Sequence, residues 1–145
     1  MHISRWCELV LRNCQEEKYA AVREELLPKL VFWAREAVRR NPLSAETHSV
    51  LGTMLWTAVQ VELGPQRMQL VTESLRALER ASELNPSIPG YLRQHAEVLE
   101  RLAATPSSEV SDADKKQYAQ RAREIRTRAQ ALQQQRWDVG LDHHQ

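Results

Sequence analysis

The sequence predicts an all-α protein, an α-solenoid or bundle of five or six helices packed as antiparallel pairs. Three observations predict this. The phrase AREAVRRNP at residues 34–42 returns as LERASELNP at residues 78–86, and each copy ends an apolar-periodic stretch with Asn-Pro. Proline pushes the residue before it out of the α region, so both copies read as helix ends. Ala, Leu, Arg, Glu and Gln are abundant while Gly numbers 4 and Phe 1, a balance that favours helix. No β-branched run alternates with period two, so no strand is expected.

The elements follow in order. A first helix is expected from about Ser4 to Leu27, ended or kinked by Pro28. The next reaches Arg40, with Leu30, Phe32, Trp33, Ala34, Ala37 and Val38 on its apolar side. Ser44 is the expected N-cap of a third helix, in which Leu51, Leu55 and Val59 recur at four-residue spacing. Gly64-Pro65 ends it. A fourth helix is expected from about Gln66 to Leu84, with Leu70, Leu75, Leu78, Ala81 and Leu84 inward, and a fifth from Ile88 to Ala104. In the polar stretch ATPSSEVSDAD, Ser111 with Asp114 three residues on resembles a capping arrangement. The last helix is expected to run from about Asp112 to Arg136 on a narrow stripe of Tyr118, Ala122, Ile125, Ala129 and Leu132. Residues 137–145, WDVGLDHHQ, show no clear structure. These elements make one expected domain over residues 1–136. It comprises an N-terminal helix (1–27), a repeat core (28–104) and a capping helix (112–136), followed by the tail.

Composition narrows the function. Of 145 residues, 42% are hydrophobic and 27% charged, ordinary for a soluble globular chain. The net charge of +1 is too small to imply a nucleic-acid protein by itself. No segment carries the roughly 18 consecutive apolar residues of a membrane helix. The N-terminal MHISRWCELVLRN lacks a secretory core and cleavage site; it reads as a first helix, with a mitochondrial targeting peptide as the weaker alternative. Cys7 and Cys14 lie two turns apart on one helix face, about 10.5 Å, too far for a disulfide.

The repeated phrase resembles a tetratricopeptide-type helical repeat. Leu51, Gly52 and Leu55 fit the middle of its first helix, and Ser74, Leu78, Ala81 and Pro86 its second. Leu30, Ala34, Ala37 and Pro42 fit the second helix of a preceding unit, and His95, Ala96 and Leu99 begin a following one. Small residues belong where two helices cross closely, and Gly52 is expected to cross against the Ala34 and Ala37 face. Asn41 and Asn85 stand 44 residues apart, against about 34 in an ordinary repeat. This lengthened pair, with the NPLSAETHSVLG opening, resembles the cytosolic domain of the plant-type presequence receptor of the mitochondrial outer-membrane translocase. The resemblance covers about Leu30 to Ala129. It implies an apolar groove that holds amphipathic targeting helices. That family carries a C-terminal membrane anchor and this sequence ends LDHHQ, so an adaptor or a subunit of a larger assembly is the favoured expectation.

The candidate partner-binding residues fall in three places. Leu55, Trp56 and Val59 are expected to line a concave apolar groove. Seven Lys and Arg residues with one acid, Glu124, lie between Lys115 and Arg136. They include Arg123 and Arg126, and form either a basic ridge for an acidic protein, RNA or anionic lipid or a solvated outer face. Trp137 and Leu141, in the tail, are expected to dock on a partner chain. Trp6 and Trp56 read as core; of Phe32 and Trp33, one reads as core and the other as groove or interface. Nucleic acid is disfavoured, because no aromatic residues interleave the basic ones. The carboxylate-clamp subclass is rejected, since Ser49, Thr53, Gly90 and Gln94 occupy its positions. His48 and His95 read as structural, and no paired carboxylates, phosphate loop or nucleophile elbow occur. No enzyme activity, metal or cofactor is therefore expected. The expected function is a protein–protein adaptor or scaffold subunit, mitochondrial or cytoplasmic. The alternatives are a receptor for amphipathic targeting peptides and a nucleic-acid-associated helical protein.

Overall fold

The computed structural model describes residues 5–9, 20–62, 64–106 and 108–142. All regular structure among them is helical. Residues 5–9 form α1; α2 is Ala20–Arg40, α3 Ala45–Val61, α4 Arg67–Leu84, α5 Pro89–Ala103 and α6 Asp112–Asp142. The chain divides into two compact units, Met1–Leu84 and Asn85–Gln145. No helix of the described residues is long and apolar enough to cross a membrane. Cys14 lies outside the described residues.

The helix ends follow from local chemistry. Past α2, the Ser44 N–H donates to the Asn41 carbonyl at 3.2 Å; past α4, the Ile88 N–H donates to the Asn85 carbonyl at 3.3 Å. The two Asn-Pro phrases thus build the same hydrogen-bonded corner. The caps that follow differ. Ser44 is extended and its Oγ accepts from the Thr47 N–H at 3.3 Å, while Ile88 has no side-chain cap and hands over to Pro89 in the first turn, where a missing N–H costs nothing. At α6 the Ser111 Oγ accepts from the Asp114 N–H at 3.1 Å, as the sequence predicts. Asp112 and Asp114 place negative charge on its first turn, the favourable end for it.

Two boundaries differ from expectation. Helix α2 runs through Pro28. Proline there forfeits one backbone hydrogen bond, but Leu27, Leu30, Val31 and Ala34 are buried on both sides of it, and that continuous apolar face holds the helix together. Helix α6 continues past Arg136 to Asp142, so Trp137 stands on a helix and not in an irregular tail. No proline interrupts residues 137–142, and Gln134 donates to Asp138 one turn on, at 3.1 Å.

In the first unit α2 packs on α3 and α3 on α4. The core joins Leu30, Val31 and Ala34 to Val50, Leu51, Met54 and Leu55, with Cys7 of α1 and Ala77 of α4. Gly52 marks a close crossing, and it faces α4, not the Ala34 and Ala37 face of α2. A Cβ on Gly52 would lie 2.6 Å from the Leu78 side chain and 3.3 Å from its backbone nitrogen. At the same crossing the buried Ser74 Oγ donates to the Gly52 carbonyl at 2.8 Å. Leu78 is itself fully buried, so it has nowhere to move. Gly52→Leu should overpack the α3–α4 crossing and cost about 1–3 kcal/mol, read as a lower thermal midpoint; an unchanged midpoint would place Gly52 on the surface. The Arg35 guanidinium bridges α2 to α4 by donating to both carboxylate oxygens of Glu73, at 2.9 and 2.7 Å.

In the second unit α5 packs on α6. Ala122, Ile125 and Ala129 of α6 are buried together with Leu92, His95, Ala96, Leu99 and Leu102 of α5. Arg93 donates to Gln133 at 2.6 Å and the Arg126 Nε to Glu100 at 3.0 Å. These two cross-links run in opposite sequence directions, so the pair is antiparallel.

Candidate functional site

The structure sorts the candidate residues by burial. Leu55 and Val59 are fully buried and Trp56 beside them is half-buried. Their four-residue spacing marks the core face of α3, so Leu55 and Val59 offer a partner no surface. Phe32 and Trp33 both lie outside the core, 60% and 39% exposed. Their rings meet edge to face with centroids 5.4 Å apart, and this mutual contact replaces the expected division into one core and one surface ring. Trp6, expected in the core, is also exposed. The side chain of Leu141, with His143 and His144, lies outside the described residues.

The remaining candidates, Arg123, Arg126 and Trp137, come together on the second unit. The stripe that buries Ala122, Ile125 and Ala129 against α5 leaves the neighbouring side of α6 open. Two hollows adjoin there, about 630 Å³ and about 500 Å³, and share Arg126 and Gln130 as lining. The first is floored by Ala103, Ala104, Ala119 and Ala122 and edged by Glu100, Arg123 and Arg126. The second continues past Arg93 and Ala129 to Trp137. Trp137 is 64% exposed at its end. Together they form one groove along α5 and α6 with a small-residue floor, a charged edge and an indole at one end.

The charges of α6 are unbalanced. Arg126 engages Glu100 across the α5–α6 seam, and Arg121 lies 3.6 Å from Glu124. Among the described residues no carboxylate pairs with Lys115, Lys116, Arg123, Arg128 or Arg136. Exposed pairs of this kind add little stability, typically under about 1 kcal/mol, so the excess positive charge is felt as local potential. The two described histidines differ. The His48 Nε2 sits 2.8 Å from the Pro42 carbonyl and ties α3 to the Asn-Pro corner. His95 is 5% exposed within the α5–α6 core; burial, helped by the positive charge of Arg121, pushes its pKa down to about 4. Among the described residues, no three His, Cys, Asp or Glu side chains stand close enough to share a metal ion.

No family model matches this chain, and no curated protein matches it. The groove was not visible in the pattern of α6 alone. Its sequence trace is the alanine set 119, 122 and 129 beside glutamines 130, 133 and 134, and that trace acquires meaning only once α5 supplies the opposite wall.

Proposed function

We propose that the chain is a non-enzymatic protein-binding adaptor or scaffold subunit, built on helical repeats of the tetratricopeptide kind. The observation that carries this reading is Trp137, a largely exposed indole held on a regular helix at the end of a groove. A tryptophan presents a large apolar body with one donor, which is why it anchors protein interfaces. Helical repeats of the tetratricopeptide kind commonly serve as binding surfaces. The related role of targeting-peptide receptor, and with it a mitochondrial setting, rests on the sequence resemblance. The arginine edge of the groove favours the adaptor, because mitochondrial targeting helices are themselves Arg-rich and would meet like charge.

Partner capture by the whole chain, followed by mass spectrometry, tests the reading. One fixed set of protein partners is expected. Trp137→Ala should weaken their retention at least about tenfold, the loss expected of an interface hot spot, while the thermal midpoint stays unchanged. Capture unaffected by Trp137→Ala would remove the indole from the interface, and recovery of nucleic acid in place of protein would overturn the adaptor.

A further inference from the structure

We propose that the groove along α5 and α6 docks an amphipathic helix whose polar flank is acidic, laid lengthwise beside α6 from Ala119 to Trp137. This rests on the protein-binding reading and names the partner's chemistry. The groove has the right length: Ala119 to Trp137 spans about 27 Å of helix axis, about five turns of a partner helix. It also has the right floor. Ala122 and Ala129 are buried against α5, but Ala103, Ala104 and Ala119 keep accessible surface at one end of the groove and let a second helix approach closely there, with the partner's larger apolar side chains filling the gaps between them.

Charge decides which helix fits. Arg93, Arg123 and Arg126 edge the groove against a single carboxylate, Glu100, and Arg126 already holds Glu100. Arg123 is exposed, with no carboxylate partner among the described residues. An incoming Glu or Asp gains attraction along this edge, and an incoming Lys or Arg meets repulsion. Thr127, Gln130, Gln133 and Gln134 add to the lining neutral groups that hydrogen-bond either way and do not change the sign. Single-stranded RNA would share the attraction for arginine. It would also need several aromatic platforms along the strand, and the groove holds one, Trp137.

The test uses the full chain and two fluorescently labelled helical peptides of about 18 residues. They share one leucine face and carry either glutamate or lysine flanks. Anisotropy titration should show the glutamate peptide binding at least about tenfold more tightly than the lysine peptide. The preference should collapse in about 0.5 M salt, where screening reaches only a few Å. The double variant Arg93→Glu, Arg123→Glu should abolish or reverse the preference, with the thermal midpoint confirming an intact fold. Arg128→Glu, which changes an unpaired cation outside the groove lining, should leave it in place. Equal binding of both peptides overturns the proposal, as does equal damage from Arg128→Glu and the double variant. Binding of poly(U) but neither peptide, lost in the double variant, also overturns it and assigns the groove to RNA. Neither peptide binding overturns it too; the adaptor reading is then judged separately by Trp137→Ala in partner capture.

Discussion

Val59→Asp is expected to unfold the first unit. Val59 has no exposed surface, and a carboxylate there would lose its water among the apolar residues of the core. Leaving an uncompensated charge buried costs about 3–5 kcal/mol, a large share of the roughly 5–15 kcal/mol that holds a domain folded. Val59→Ala deletes two methyl groups and should cost about 2 kcal/mol, so the pair of variants separates charge from volume. Denaturant unfolding followed by circular dichroism checks both. A midpoint unmoved by Val59→Asp would mean that the side chain reaches solvent. The consequence for binding studies is direct: loss of partner binding in Val59→Asp would report unfolding, whereas Trp137→Ala changes a surface side chain.

The second large effect is acid sensitivity of the second unit through His95. Its folded pKa stands at about 4, against about 6.5 for an unperturbed histidine. The unfolded chain therefore binds a proton that the folded chain refuses throughout pH 4 to 6.5. Stability from this group is fully present above about 6.5, falls as the pH drops through that window, and levels off below about 4. A difference of this size corresponds to about 3 kcal/mol in all. Glu36, the other strongly shifted group, has its pKa held down to about 2 by Arg39 and Arg40. Its window lies lower, below about 4.5, so the two are separable. Unfolding free energies between pH 4 and 8 should slope in the native chain and lie flatter in His95→Gln. The His95 ring protons, followed by NMR, should hold the neutral shift until the pH nears 4. A His95 midpoint near 6.5 would show that the imidazole reaches water.

Trp137 and Val59 also show what kind of information a sequence pattern carries. The four-residue spacing of Leu51, Leu55 and Val59 marks an apolar face, and an apolar face reads equally well as core or as groove. The same ambiguity covers Phe32 and Trp33, whose hydrophobic character suggests that at least one is buried, yet both are exposed. Arg123 and Arg126 were legible as cations on a helix. Their convergence with Arg93 and Trp137 was not, because Arg93 lies on a different helix.

Sequence by itself determined the helices, their order and their sharpest stops. Those features are local: proline at 42 and 86 excludes helix at the asparagine before it, Ser44 and Ser111 cap the nearest free N–H groups, and apolar residues recur with helical period. Each involves residues within a few positions of one another. Only the tertiary structure decided that α2 passes through Pro28, that Gly52 meets Leu78 on α4, that His95 is sealed from water, and that α5 and α6 leave a groove ending at Trp137. These outcomes depend on which surface of another helix arrives to cover a side chain. Periodicity along one helix says that a face must be covered, and packing across helices alone determines by what.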